Sequence, residues 1–435
     1  MNIFSPTRRG FIQGGLATAA LGFARPSFGA IQDGSDILVL VFLRGGMDGL
    51  DLIPPVSGPD RAVYEAARPT LKVPLSGSGA ALTLDGAFGL HPAAASLLPL
   101  FDQGRMAVVH ATGMHNPTRS HFEAQDFLEL GTPGEKTIGS GWLHRHLASA
   151  ANLPSQILIP ALASGNLQPL ALLGSSETLT LANPNDFGFA TGPQQWQNEQ
   201  HDAMRNLYTS DSSPVHVAGT QTITAVDIVD TYVTGEYQPG GGAIYGDDDV
   251  GSHFKVAAQM ISLDLGIRVA TVDIGGWDTH ESQGSGPGGF FAGQVKALSD
   301  GLAAFLTDLE ARGLGDRLTV AVMTEFGRRV EENADQGTDH GHAVPMLLLG
   351  NNVVGGLHGP WPGLDPGQLF EGVDLEVTTD FRQVLSEVLI KRLGNRRLDK
   401  VFPGYEGYSP LGVVAGLDLP PYDGSPLRAG GRKMP

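Results

Sequence analysis

The chain has 435 residues, 41% hydrophobic and 17% charged, with a formal net charge of −18 and no cysteine. That length suffices for one large core, alone or with insertions, and the missing cysteine excludes disulfides, thiolate zinc sites and cysteine nucleophiles. The acidic balance argues against nucleic acid or an anionic membrane as a partner.

Residues 1–30 read as an export signal rather than part of the fold. Arg8 and Arg9 precede Gly10-Phe11-Ile12, and a weakly apolar stretch runs from Gly14 to Phe23. That stretch is too short to span a bilayer, and the paired arginines point to the twin-arginine route. Small residues at Ser27-Phe28-Gly29-Ala30 offer a cleavage point. Removal of Arg8, Arg9 and Arg25 would take the charge from −18 to −21. The expected location is periplasmic or secreted, with no membrane span after signal removal.

Sixty glycines and 29 prolines predict many loops and turns. The continuous apolar run 37–43 predicts a strand buried on both faces, and the largely apolar segments 106–111, 269–274, 318–323 and 345–350 read as further strands. Helices are expected over 91–103, 122–130, 193–209, 253–265, 291–312 and 379–393. Residues 291–312 carry apolar spacing at Val295, Leu298, Leu302, Phe305, Leu306 and Leu309. Residues 150–250, rich in Gly, Pro, Asn, Ser and Thr, read as a loop-rich insertion. Alternating strands and helices predict one α/β domain over 31–435, doubly wound on a mostly parallel sheet.

Polar clusters lie beside the strands. Asp48 follows the first, the loop 115–121 the second, Asp278 and His280 the third and Glu325 the fourth, while Asp339, His340 and His342 enter the fifth. At the carboxyl edge of an open sheet such groups meet where ligands bind. Carboxylates and imidazoles without thiols suit Zn²⁺ or Mn²⁺ or, with fewer histidines, Mg²⁺ or Ca²⁺. All seven are candidate ligands for one or two divalent ions. Asp48 could instead cap a turn, and Glu325 could pair with Arg328 or Arg329. In the loop 115–121, Ser120 and Thr118 are candidate nucleophiles at a helix N-terminus, or plain caps. Arg119 is a candidate anion clamp, and His121 completes the catalytic candidates. Asp247-Asp248-Asp249 lacks the spacing of a calcium loop and reads as a solvated turn.

The segments ILVLVFLRGGMDGLD, NPTRSHFEAQDFLELG, GGWDTH, TEFGRR, DHGHAVPMLLLG and TDFRQVLSEVL, in this order, resemble the DUF1501 family. That family is in turn similar to the alkaline phosphatase, sulfatase and cofactor-independent phosphoglycerate mutase superfamily. The resemblance implies an alkaline phosphatase-like fold with two metals at the strand ends and a serine or threonine nucleophile opening a helix. Asp48, Ser120 or Thr118, Asp278 with His280, and His340 or His342 match that pattern. Glu325-Phe326 stands where the superfamily carries an Asp-His pair, so one imidazole ligand is missing.

The function expected is an exported metal-dependent hydrolase or transferase acting on a phosphate or sulfate ester, its substrate an anionic ester, with a glycan among the candidates. The alternative is a non-catalytic exported protein that keeps the fold and binds a glycan, polymer or partner protein. A metal-free serine hydrolase is the weakest reading, since no G-x-S-x-G elbow is present.

Overall fold

The strand β1 (Ile37–Leu43) is buried at every position and lies at the centre of the main sheet. Its side chains alternate between two cores. Ile37, Val39, Val41 and Leu43 belong to one, which includes Phe254, Leu298 and Phe305; Leu38, Leu40 and Phe42 belong to the other, with Phe127, Val384 and Leu385. Each large aliphatic side chain buried this way contributes about 1.5–3 kcal/mol. The computed structural model describes residues 35–423 except 152, 154–156, 158, 187–195, 234 and 285. The expected export signal, residues 1–30, lies outside the described residues.

The remaining strands are β2 (Leu82–Thr83), β3 (Gly89–Leu90), β4 (Met106–Gly113), β5 (Ala161–Ser164), β6 (Thr178–Leu181), β7 (Val269–Ile274), β8 (Leu318–Thr324), β9 (Val344–Leu349), β10 (Gly356–His358) and β11 (Thr379–Asp380). The main sheet runs β10-β4-β9-β8-β1-β7-β5-β6, with β11 beside β4; β2 and β3 form a separate pair. All its pairings are parallel except those of β9, which is antiparallel to both β4 and β8. The fold is therefore α/β, a mostly parallel sheet with helices on both faces.

The long helix Phe290–Ala311 buries all six apolar positions that mark its inner face. Helices Asp249–Ser262, His121–Leu130 and Phe381–Lys391 fall close to their expected ranges. Asp380 caps the last through a hydrogen bond from the Arg382 N–H. The stretch 91–103 divides into a 3₁₀ segment, Pro92–Leu97, and a short helix, Leu98–Asp102. The described residues of 150–250 carry more regular structure than their composition suggests. They supply β5 and β6 to the main sheet and the helices Gln197–Tyr208 and Pro214–Tyr232. Among the described residues, no helix is long and apolar enough to cross a membrane.

Candidate metal centre

The parallel strands β1, β4, β7 and β8 deliver their following loops to one edge. A parallel β9 would have sent its preceding loop to the opposite edge. Because β9 runs antiparallel, residues 339–343 arrive at the same edge. Two close backbone approaches let the loops pack. A Cβ at Gly45 would stand 2.5 Å from the Asp278 nitrogen, and one at Gly337 would stand 2.3 Å from the His280 carbonyl carbon. Gly45 also has φ +126°, which excludes an ordinary side chain.

At this edge His121, Asp278 and His340 place one donor atom each within 4.8 Å of one another. His121 Nε2 lies 3.4 Å, His280 Nε2 3.1 Å and His340 Nε2 3.2 Å from Asp278 Oδ1. His280 Nε2 and His340 Nε2 are 2.8 Å apart. A tetrahedral ion with bonds of ~2.0–2.1 Å separates its ligands by about 3.3 Å, so three of these four spacings fit and the fourth needs a small opening.

The far side of each ring is held. His121 Nδ1 meets Glu325 Oε1 at 2.7 Å, His340 Nδ1 the Arg119 carbonyl at 2.8 Å, and His280 Nδ1 Asp339 Oδ1 at 3.2 Å. All three partners are acceptors, so each Nδ1 donates to its partner, while each Nε2 faces the Asp278 carboxylate, a further acceptor, in a position suited to a second proton or to a cation. The partners assign the Nδ1 proton of each ring and leave Nε2 open to a proton or a cation. His121 Nε2 is buried with no hydrogen-bond partner. Imidazoles fixed through Nδ1 by carboxylate or carbonyl acceptors are the usual outer layer of a metal site, so these residues fit a divalent cation.

The charges are arranged to suit. Burial pushes the Asp278 carboxyl up, but the hydrogen bond and charge of Arg328 outweigh it and hold it at about 2. Arg328 Nη2 lies 2.6 Å from Asp278 Oδ1, and the same guanidinium binds the carbonyls of Gly45, Gly46, Trp277 and Thr338. The Glu325 hydrogen bond raises the His121 pKa, whereas burial lowers that of His340. Glu325 stays ionised despite burial, through hydrogen bonds from His121, Gln125 and Thr324. With side-chain exposures of 47% and 42%, Asp278 and His280 leave the cluster open to solvent.

Other candidates sit elsewhere. Asp48, read as a ligand, is fully buried, and Arg68 Nη1 lies 2.6 Å from its Oδ2 and 2.8 Å from Asp51 Oδ1. The guanidinium, itself fully buried, supplies the positive charge that a cation would. Glu325 and Asp339 are placed as partners of His121 and His280 rather than beside the central donors. His342 turns away: its Nε2 meets the Met114 carbonyl at 3.0 Å and its ring stacks on Phe370. Arg119, read as an anion clamp, directs its guanidinium to Asp374 and Glu371. The Thr118 hydroxyl donates to Glu123 and accepts from the Ser120 N–H, just ahead of the helix. Ser120 is the N-cap residue yet makes no capping hydrogen bond, which leaves its hydroxyl outside the cap, between Arg119 and His121 in the chain.

Arg328 entered the sequence reading only as a possible partner of Glu325, and Gln125, Gln283 and Arg68 did not enter it. The first two lie inside the segments TEFGRR and NPTRSHFEAQDFLELG, whose acids, imidazoles and hydroxyls drew the attention. No local pattern marks Gln283 or Arg68.

The fold and the cluster define an α/β protein with a histidine-rich, carboxylate-centred site at the carboxyl edge of its sheet. Residues 243–395 match the model of the family described as "Protein of unknown function (DUF1501)". This stretch contains four of the six segments that carry the resemblance. No curated protein matches the chain. Among solved structures, Ps i-CgsB in complex with k-i-k-neocarrahexaose aligns at 10% identity over 74% of this chain and 68% of that one, with a TM-score of 0.32. The lipoteichoic acid synthase LtaP from Listeria monocytogenes aligns at 8% identity over 73% and 65%, with a TM-score of 0.28. At these scores the two likenesses carry no argument about activity.

Proposed function

We propose that the chain is an exported, metal-dependent hydrolase or transferase acting on a phosphate or sulfate ester. One observation carries the reading: three imidazole Nε2 atoms converge on Asp278 Oδ1, and each ring has its Nδ1 proton committed to an acceptor. Arg328 already meets that Asp278 oxygen at 2.6 Å, and a cation held by the three Nε2 atoms would share it. An N₃O donor set without thiols suits zinc or another transition ion better than Mg²⁺ or Ca²⁺. When bound, such an ion supplies Lewis acidity toward an anionic ester.

The chain's own residues have separable tasks. Ser120, at the N-terminus of His121–Leu130, is the nucleophile of this reading. Its Oγ bonds to phosphorus or sulfur as the bond to the ester oxygen breaks, the hydroxyl proton passing to the departing oxygen, and water then releases the acid and returns a proton to Oγ. The backbone field at the helix start favours the anion there. Glu325, Asp339 and the Arg119 carbonyl orient the three rings, and Arg328 keeps Asp278 ionised. The twin-arginine signal fits, because that route carries folded proteins that have already taken up a metal.

The test is turnover of aryl phosphate and aryl sulfate esters by zinc- or manganese-replete protein, with and without chelator, beside Ser120→Ala. Chelator-sensitive turnover that falls by about a thousandfold or more in Ser120→Ala, with metal binding retained, is expected. Full occupancy with no turnover on either ester would favour the non-catalytic binding protein, the reading that the solvent-open cluster and the Arg68-neutralised acid pair also allow.

A further inference from the structure

Gln283 lies on the loop after β7, outside every segment with an assigned chemical role, and is fully buried. Its amide is saturated. Nε2 donates to Asp48 Oδ2 at 2.7 Å and Asp51 Oδ2 at 3.0 Å. Oε1 accepts from the Thr279 hydroxyl at 2.8 Å and the Thr338 hydroxyl at 3.0 Å. The four partners fix the amide's orientation, since the carboxylates only accept and the two hydroxyls have protons to give. Both threonines are buried. Thr279 stands between Asp278 and His280; Thr338 precedes Asp339 and lies two residues before His340.

One amide oxygen thus joins the loop that carries Asp278 and His280 to the loop that carries Asp339 and His340. The backbones run together there as well: the Thr338 N–H donates to the Thr279 carbonyl, Ser282 to Asp335 and Gln283 to Gln336. The other end of the amide is anchored on Asp48 and Asp51, which Arg68 neutralises. An anchor of this kind is rigid, because each member is buried and already has its partners.

We infer that Gln283 is a positioning residue for the His280–Asp278–His340 constellation, transmitting the fixed geometry of the buried Asp48–Asp51–Arg68 group to both ligand-bearing loops through the Thr279 and Thr338 hydroxyls. The inference rests on the proposed metal-dependent reading for its consequence, though not for its geometry. Asp48 then matters to the site as the far anchor of the amide.

The experiment uses the full chain after signal removal, with Zn²⁺ and Co²⁺ as probes. Gln283→Met keeps the side chain's length and removes all four hydrogen bonds. Thr279→Val and Thr338→Val each remove one hydroxyl and leave the amide on its acids, so they keep the test intact if Gln283→Met fails to fold. The expected result is Zn²⁺ binding weakened on the order of 10–100-fold, with an altered visible band of bound Co²⁺ and a folded far-UV spectrum. Unchanged Zn²⁺ affinity and Co²⁺ band, with only the denaturation midpoint lowered, would overturn it. If the unmodified chain binds neither ion, the proposed function fails, and histidine NMR of the metal-free protein decides this inference separately. Shifted His280 and His340 ring resonances in both valine variants, with His146 unmoved, support it; unmoved His280 and His340 resonances overturn it.

Discussion

His280 Nε2 and His340 Nε2 stand 2.8 Å apart, and each ring holds its Nδ1 against an acceptor, Asp339 for one and the Arg119 carbonyl for the other. Two neutral imidazoles in these tautomers oppose lone pair to lone pair. A proton or a cation between them removes the repulsion, and the adjacent Asp278 carboxylate favours either. The arrangement repeats at His121, whose Nε2 is buried without a hydrogen-bond partner, and the proposed reading places a cation among the three rings. On loading, the His280–His340 separation is expected to open toward about 3.3 Å.

Glu325→Gln tests the outer layer. Glu325 holds His121 Nδ1 at 2.7 Å and also accepts from the Gly45 N–H, Gln125 and Thr324. The neutral amide keeps the volume but lowers the basicity of the ring and disturbs that contact set. Zinc affinity measured by calorimetry should fall by about 10–100-fold. An affinity equal to the unmodified chain's would remove Glu325 from the centre.

Asp48→Asn separates the two roles read for Asp48. The acid is fully buried against Arg68, so the variant leaves part of a buried cation uncompensated. Chemical denaturation should show a loss of roughly 3 kcal/mol. Zinc affinity should stay within a few-fold, since Arg68 rather than an ion neutralises this pair and Gln283 keeps Asp51. Loss of zinc binding on the scale of Asp278→Asn would restore Asp48 as a ligand.

His146 predicts a pH dependence away from the site. Burial lowers its pKa from the ordinary 6.5 to about 4, and its Nδ1 accepts from the Asn395 amide at 3.0 Å. The unfolded chain takes up a proton near pH 6.5, and the folded chain only near 4. This contribution is therefore fully present above pH 6.5 and is lost as the pH falls from there toward 4. Between pH 7 and pH 5 the unmodified chain should lose about 2 kcal/mol more than His146→Gln, measured by denaturant titration at each pH. Parallel losses in the two proteins would contradict the assignment.

The strands legible in the sequence are the largely buried ones: β1 and β9 are apolar throughout, and β4, β7 and β8 are mostly apolar with a few polar positions such as His110, Asp273 and Thr319. β5 and β6 are four residues each, too short to stand out from a loop-rich background. β6 alternates half-buried threonine with buried leucine, as an edge strand with one wet face does. The direction of β9 was not legible, because apolarity does not record orientation, yet that direction brings His340 to Asp278. The segments around Asp278, His280 and His340 pointed to imidazole–carboxylate chemistry without separating central donors from outer partners. Glu325 and Asp339 differ from Asp278 only in what the fold sets beside them. His342 is two residues from His340 and faces the opposite way, toward Met114 and Phe370, as neighbours at i and i+2 do not on an extended strand but can on a turn.

The most direct test is elemental analysis of protein prepared through its own export route, beside the triple variant His121→Ala, Asp278→Ala, His340→Ala. The account predicts about one divalent transition ion per chain in the unmodified protein, retained through gel filtration and absent from the variant. Equal metal content in the two proteins, whether none or the same amount, would contradict it.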